Sequence, residues 1–138
     1  TLELTPGLPA VRVDRIGIEQ VISNLLRNAC DVMTGPNPGK KLLVRTGLCV
    51  EPPLDSVLGW IAVDISDQGP GLGGRDMETL TEPFFSTKQE GTGLGLAMCR
   101  SILESHGGVL HAQDVPGGGA RFSFFLPTER PTPEARMP

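Results

Sequence analysis

The sequence has no tyrosine and 2 histidines among its 138 residues, and aromatic residues make up 4% of the chain. It contains no apolar run near the ~20 residues that a membrane-spanning helix needs, and its opening residues lack the pattern of a signal peptide. We therefore expect a cytoplasmic domain cut from a larger protein, whose parent could be anchored in the inner membrane. A hydrophobic content of 38% allows one packed core at this length.

Basic residues do not outnumber acidic ones, and the net charge is −4. Proteins that bind nucleic acid usually carry a basic face, so we exclude nucleic acid as a partner. The cysteines number 3, have no metal-ligand spacing and have apolar neighbours in the sequence. We predict that Cys30, Cys49 and Cys99 are buried thiols in a reducing compartment, with no zinc site.

Apolar periodicity predicts a long helix over 14–33 with Asp14 as its N-cap, and a second helix from Leu94 to Ser105 that stops at Gly107. Strands are predicted at the start and over 41–50, 60–66, 108–114 and 120–126, and a loop region with a short helix near 75–80 is predicted within 67–92. This order predicts an α+β two-layer sandwich, a mixed and mostly antiparallel sheet with helices on one face. We assign 1–126 to the domain and 127–138 to a disordered tail.

Three polar clusters interrupt this pattern. The first is a stripe on the long helix, where Asn24, Asn28 and Asp31 share one face beside apolar positions. An asparagine carbonyl is a hard oxygen ligand that Mg²⁺ accepts. A solvated helix face remains the alternative.

The second cluster, DISDQGPGL, places Asp67 at the end of a predicted strand, followed by Gly69 and Gly71. A carboxylate there can accept a hydrogen bond from an exocyclic amine such as that of adenine, and the glycines leave room for a flat ring. A plain turn explains the same residues equally well.

The third cluster is EPFFSTKQEGTGLGL. Phe84 and Phe85 are candidate anchors for a flap, and Lys88 is a mobile charge that can reach phosphate. Gly91, Gly93 and Gly95 lie at the entry of a helix whose first amides favour anions. The loop lacks the Gly-Lys-Ser/Thr ending of a P-loop and does not follow a strand as a dinucleotide fingerprint would.

The segments NLLRNACD, DQGPG, EPFFSTK and GTGLGL resemble, in this order, the N, G1, F and G2 boxes of one family. That family is the ATP-binding catalytic domain of bacterial sensor histidine kinases, within the GHKL superfamily shared with type II topoisomerases and heat-shock chaperones. The resemblance covers about 8–126. The residues of these boxes are similar to those of the nitrogen-regulation and dicarboxylate-transport sensor kinases. The resemblance implies the Bergerat fold.

The resemblance implies ATP and Mg²⁺ as cofactors and gives each motif a role. Asn28 would ligate Mg²⁺, Asn24 would line the phosphate region, and Lys88 would approach the phosphates, so these three are the implied catalytic residues. Asp67 would take the adenine amine in a pocket shaped by glycines and flanked by apolar side chains. The remaining implied ligands are Gly69 and Gly71 for the adenine pocket, Ile65 and Val32 beside the ring, and Thr92, Gly93, Leu94 and Gly95 for the phosphate tail.

Two positions depart from the superfamily pattern. Asn24 stands where the hydrolases place a water-activating glutamate, so the resemblance implies a kinase that hydrolyses ATP slowly. Asp31 stands where many histidine kinases carry a basic residue, which makes a direct phosphate contact from Asp31 unfavourable. Arg27 or Lys88 would compensate.

The phosphoacceptor is expected outside the chain. His106 and His111 do not lie on a long exposed helix, and we predict structural roles for both. The implied partners are an N-terminal dimerisation and phosphoacceptor domain of the same protein and a response regulator receiver domain. The fragment would be monomeric and its parent homodimeric. An anti-sigma-type serine kinase, a nucleotide-binding module without catalysis and an ATP hydrolase remain the alternatives.

Overall fold

The computed structural model describes residues 1–33, 41–49, 59–83 and 94–128. In chain order the elements are β1 (Leu2–Glu3), α1 (Arg15–Val32), β2 (Leu43–Cys49), β3 (Trp60–Ser66), α2 (Met77–Leu80), α3 (Gly95–Ser105), β4 (Val109–Asp114) and β5 (Ala120–Pro127). The predicted order of helices and strands is confirmed, with ends shifted by a few residues. The segment 129–138, most of the predicted disordered tail, lies outside the described residues.

The strands form one five-stranded sheet in the order β1-β2-β3-β5-β4. The short β1 pairs with β2 in parallel, and all other pairs are antiparallel. The predicted mixed, mostly antiparallel sheet is confirmed. Because β5 lies between β3 and β4, the end of β3 and the β4–β5 turn come together at one edge of the fold.

One face of the sheet packs against α1 and α3. In β3 and β5 the residues paired across the ladder as Ile65 with Phe122 and Val63 with Phe124 point to this face. Burying these alternate apolar residues against the two helices supplies most of the driving force for folding. The buried members of this core are Val21, Leu25, Ala29, Ile65, Cys99, Leu103, Leu110, Phe124 and Leu126.

The start of α1 and the end of α3 are fixed by contacts that the sequence predicted. The Asp14 side chain accepts a hydrogen bond from the N–H of Gly17 at 3.2 Å, which satisfies one of the first amides of α1. At the end of α3, Gly107 has φ +73°, and the N–H of Gly108 donates to the carbonyl of Leu103 at 2.7 Å. A left-handed glycine thus ends α3 as predicted.

His106 and His111 both make structural contacts. The Nδ1 atom of His106 lies 2.7 Å from the carbonyl oxygen of Ile102, and its Nε2 atom lies 2.9 Å from the backbone N–H of Asp14. Since a carbonyl only accepts and a backbone N–H only donates, the neutral ring carries its proton on Nδ1. His111 meets Phe125 edge-on, with ring centroids 5.4 Å apart.

The prediction that all three cysteines are buried is wrong for Cys30, which is exposed on α1, while Cys49 is half-buried. Cys99 is fully buried and its thiol lies 3.8 Å from the carbonyl oxygen of Val21. Burial raises the pKa of Cys99 to about 11, and the neighbouring Asn24 amide opposes this rise. Cys30 directly follows the buried Ala29 on α1. Adjacent residues of a helix point in different directions, so helical periodicity is enough to place Cys30 outside the buried stripe.

Cys30 and Cys99 should therefore react very differently with a thiol reagent. We expect iodoacetamide at neutral pH to alkylate Cys30 rapidly and to leave Cys99 unmodified in the folded protein, because Cys99 is both shielded and protonated. Mass spectrometry of peptides from native and guanidinium-unfolded samples measures both sites. Modification of native Cys99 at the rate of Cys30 would contradict the buried position of α3.

Candidate functional site

The polar stripe of α1 lies at the border of the hydrophobic core. Asn24, Asn28 and Asp31 are half-buried and follow the buried residues Val21 and Leu25 around the same helix. Their spacing of four and three residues aligns them along one edge of the helix. Over this distance a helix rises about 10 Å, so the edge is long enough to accompany a phosphate chain.

At its N-terminal end this edge touches α3. The Asn24 amide lies close enough to the Cys99 thiol to lower its pKa. The amide nitrogen Nδ2 of Asn24 is nevertheless buried and has no hydrogen-bond partner among the described residues. A buried donor without an acceptor costs about 1–3 kcal/mol, so an acceptor such as a phosphate oxygen is favoured beside Asn24.

At its C-terminal end the edge touches the turn after β3. A Cβ atom placed on Gly69 would lie 2.9 Å from Cγ2 and 3.0 Å from the carbonyl oxygen of Val32. Only a residue without a side chain allows the turn to approach α1 so closely. Asn28 lies one helical turn before Val32, on the same edge of α1.

Asp67 is held rigidly at the end of β3. It is 4% exposed, and its Oδ1 atom accepts hydrogen bonds from the N–H groups of Gly69 at 2.9 Å and Ala120 at 3.1 Å. Its own N–H donates to the carbonyl of Ala120 at 2.9 Å. Both side-chain bonds use the same oxygen, so Oδ2 is the atom that faces no donor among the described residues. The carboxylate is thus oriented to accept one further hydrogen bond.

The turn continues through Gly71, which has φ +88° and whose Cβ would lie 2.6 Å from Oδ1 of Asp114. That same oxygen accepts the N–H of Leu72 at 2.8 Å. Asp114, which fixes the turn from the end of β4, was not predicted from the sequence as a site residue. A carboxylate two residues before the proline of the turn PGGG was the only signal for it.

The β4–β5 turn supports Asp67 from the other side. A Cβ on Gly119 would overlap the carbonyl oxygen of Asp67, and Gly119 has φ +101°. Sequence reasoning assigned the PGGG segment to a turn without linking it to Asp67. The requirement for glycine at this position is therefore both conformational and steric.

Replacing Gly119 by alanine should destabilise the fold and displace Asp67. The control is Gly117→Ala, because Gly117 has φ +91° and no described residue lies within 4 Å of its Cβ position. We expect the control to lose about 1–3 kcal/mol from backbone strain alone and Gly119→Ala to lose about 2 kcal/mol more from the overlap. Chemical denaturation measures both, and equal losses would argue against the close approach of Gly119 to Asp67.

The start of α3 closes the third side of the site. Its N-cap residue Leu94 provides no side-chain cap, and a Cβ on Gly95 would have no neighbour within 4 Å among the described residues. The first amides of a helix are donors that favour anions. Lys88, Thr92 and Gly93, with Phe84, Phe85 and Gly91, lie outside the described residues and stay predictions.

Among residues 1–33, 41–49, 59–83 and 94–128, no group of three His, Cys, Asp or Glu side chains is placed to hold a metal ion. A magnesium ion here would depend on amide oxygen, water and ligand phosphates, a mixed set that Mg²⁺ prefers to a cage of protein ligands. The half-buried Asn28 amide fits such a set.

A cavity of about 440 Å³ borders the other side of Asp67. It lies between β1, β2 and the β4–β5 turn and does not include Asn24, Asn28 or Gly69. It is therefore separate from the edge of α1 and the start of α3. The candidate site is the region bounded by the α1 edge, the Asp67 turn and the first turn of α3.

Comparisons with known proteins show the family to which the chain belongs. The family model described as histidine kinase-, DNA gyrase B- and HSP90-like ATPase matches residues 13–130. The C4-dicarboxylate transport sensor protein DctS of Rhodobacter capsulatus is 41% identical over 121 residues, 87% of this chain and 17% of that protein. The sensory histidine kinase/phosphatase NtrB of Klebsiella oxytoca is 35% identical over 127 residues, 91% of this chain and 36% of that protein.

A solved catalytic domain of the histidine kinase ThkA superposes with a TM-score of 0.73 at 30% identity, covering 92% of this chain and 76% of that one. The chain belongs to the family of histidine kinase-, DNA gyrase B- and HSP90-like ATPases, as an ATP-binding catalytic domain of the sensor histidine kinase type. The resemblance found in the sequence is confirmed. In the part of the chain that the structure describes, no helix is both long and apolar enough to cross a membrane.

Proposed function

We propose that this domain binds ATP with Mg²⁺ and transfers the γ-phosphate to a histidine of an N-terminal dimerisation domain in the same protein. The observation that carries the proposal is the continuous edge of α1. It begins at the unpartnered Asn24 amide beside α3 and ends where Val32 meets the Asp67 turn. One ligand with an amine-bearing ring at one end and phosphates at the other would satisfy both ends.

In this proposal Asp67 takes the adenine amine through Oδ2, because Oδ1 is occupied by two backbone N–H groups. Gly69 and Gly71 shape the ring pocket, with Val32 and Ile65 beside it. Asn24 and the first amides of α3, from Leu94 and Gly95 onward, face the phosphates. Lys88, Thr92 and Gly93 join them from the segment outside the described residues.

Asn28 would hold a magnesium ion, which would neutralise charge at the phosphates. The protein then has only to orient the γ-phosphate for the acceptor and to exclude water. Asn24 is an amide and accepts no proton at neutral pH. The site therefore has no general base at the position that the hydrolases use, and ATP should persist until an acceptor histidine arrives.

The test mixes this domain with the dimerisation domain of its parent protein and γ-labelled ATP. We expect label on the dimerisation domain as an acid-labile, base-stable phosphoryl group, and little phosphate release without the acceptor. Acid-stable label would indicate the serine kinase instead. Binding without transfer would indicate a nucleotide-binding module, and rapid phosphate release without an acceptor would indicate a hydrolase.

The chain spans less than two fifths of the length of the curated relatives described above. The remaining parts of the signalling reaction are accordingly proposed for the whole protein. The phosphohistidine would be passed to a response regulator receiver domain. The dimerisation domain would make the parent a homodimer, while this fragment alone would be monomeric.

A further inference from the structure

The cavity beside the β4–β5 turn takes no part in the proposed reaction. Its volume is about 440 Å³, within the range of sites that hold small organic ligands. Its floor includes Ser66 and Arg121. Their chain neighbours Ile65 and Phe122 pack in the core against the helices, so the floor is the opposite face of the sheet. The walls are the β4–β5 turn, β1 and the residues that lead into β2.

Two paired residues on the floor of the cavity carry hydrogen-bond donors that are not used. Ser66 of β3 and Arg121 of β5 are cross-strand neighbours, and Nε of Arg121 donates to Oγ of Ser66 at 3.1 Å. Ser66 is 9% exposed, and its own hydroxyl proton meets no acceptor among the described residues. The Nη1 and Nη2 atoms of Arg121 also meet none there. A buried donor without an acceptor is unfavourable, so a ligand in this cavity must accept hydrogen bonds.

The charges around the cavity favour an anion. The Lys41 ammonium group pairs with no carboxylate among the described residues. Of the two carboxylates in the lining, Glu3 is neutralised by Arg45, whose Nε and Nη2 atoms lie 3.1 and 2.9 Å from its Oε1 atom. Asp67 is 4% exposed and accepts two backbone N–H groups. The side chains of Lys41 and Arg121 therefore leave a surplus of positive charge.

The β4–β5 turn lets a ligand approach the backbone on one side of the cavity. No described residue lies within 4 Å of the position that a Cβ atom would take on Gly117 or Gly118. The N–H of Gly118 donates to the carbonyl of Val115 at 3.0 Å, whereas the N–H of Gly117 donates to no described residue. One backbone donor is thus left beside the two cationic side chains.

We propose that this cavity binds a compact oxyanion, the phosphate or carboxylate head group of a small organic molecule, with Arg121 and Lys41 as its cationic ligands. Nη1 and Nη2 of Arg121 form the pair of parallel donors that such head groups accept. The hydroxyl of Ser66 supplies a further donor, and Lys41 supplies a mobile charge. The cavity includes no residue of α1 or α3, so this inference does not depend on the proposed function.

The experiment titrates the 138-residue chain with inorganic phosphate and, separately, with malonate, at pH 7 and constant ionic strength. Backbone amide signals in NMR spectra report where each probe binds. We expect the signals of Leu43, Ser66 and Gly117 to shift and to saturate with one dissociation constant, because all three residues line the cavity. The probe that binds more tightly identifies the head group. Shifts that do not saturate, or that are confined to Gly95 and Leu96 at the start of α3, would overturn the inference.

Arg121→Gln should weaken binding of the tighter probe at least about tenfold, because a pair of charge-assisted hydrogen bonds is lost. Arg121→Lys keeps the charge without the parallel donors, and we expect an intermediate affinity. Arg15→Gln is the matched control: it removes the same charge from a side chain that is 89% exposed on α1 and paired with Glu19. We expect the control to bind as the wild type does. Equal losses in Arg15→Gln and Arg121→Gln would overturn the inference, because net charge alone would then account for binding.

Lys41→Gln carries the test if Arg121→Gln fails to fold, because it replaces an exposed side chain whose ammonium group has no partner among the described residues. We expect it to weaken binding about two- to fivefold. The α-amino group of Thr1 also lies at the cavity and donates to the carbonyl of Leu42 at 2.8 Å. Acetylation removes its charge and keeps an N–H donor. Binding that persists after acetylation supports the two side chains as ligands, and binding that disappears would overturn the inference.

Discussion

Asn28→Ala should reduce magnesium-dependent phosphoryl transfer to the dimerisation domain by at least about 100-fold, as expected when a metal ligand is removed. Asn28 lies midway along the polar edge of α1, between the Asn24 amide and the Val32 contact with the Asp67 turn. Alanine is a better helix former than asparagine, so α1 should be retained. The loss of phosphoryl transfer should therefore reflect the loss of bound magnesium and not a loss of folded protein.

The measurement is the rate of phosphohistidine formation as a function of magnesium concentration, with the melting temperature recorded for each variant. Ser23→Ala is the matched control, since Ser23 is exposed on the same helix outside the polar edge. We expect the control to retain the wild-type rate. A folded Asn28→Ala variant whose rate and magnesium dependence match the wild type would remove Asn28 from the metal site.

The helices were predictable because their signals are local. The apolar repeat of α1, its Asp14 cap and the left-handed Gly107 after α3 each depend on residues within about one turn of one another. The structure adds only small shifts at the ends. The buried Cys99 and exposed Cys30 also follow this periodicity, and the error on Cys30 came from judging its neighbours in sequence and not its face of the helix.

The strand order was less accessible, because it depends on pairs far apart in the chain. Nothing near β5 indicates that it inserts between β3 and β4, or that the two-residue β1 pairs with β2 in parallel. Such pairings are decided by which apolar faces together cover α1 and α3. The class of fold was predictable from the pattern of elements, whereas the register was not.

The candidate site was likewise predictable from the sequence only in part. Asn24, Asn28 and Asp67 carried their chemistry in the sequence, and the structure brings their elements to one region. The hydrogen bonds that hold the Asp67 turn in place were not predictable from the sequence, because they join residues far apart in the chain. The N–H of Ala120 donates to Asp67 across 53 positions, and the N–H of Leu72 donates to Asp114 across 42. A residue that contributes only its backbone N–H can be of almost any type, so its role cannot be read from the sequence.

Asp67→Asn should convert a preference for adenine into a preference for guanine, or at least lower the ratio of ATP to GTP affinity by about tenfold or more. The amide can keep its oxygen at the Oδ1 position, where the N–H groups of Gly69 and Ala120 donate. Its nitrogen then replaces Oδ2, so a hydrogen-bond acceptor becomes a donor at the one position that faces the ligand. Adenine presents an amine there and guanine presents a carbonyl oxygen.

Asp67→Ala is a less informative change, because it leaves those two N–H groups without their acceptor at a cost of about 1–3 kcal/mol each. Asp64→Asn is the matched control: the same substitution lies three residues earlier on β3, where Asp64 pairs with Ser123. Competition between ATP and GTP at fixed magnesium measures the ratio of the two affinities in the wild type, Asp67→Asn and Asp64→Asn. We expect the ratio of the Asp64→Asn control to equal that of the wild type. Because the substitution replaces the acceptor that faces the base with a donor, unaltered selectivity in a folded Asp67→Asn protein would mean that the base is recognised elsewhere.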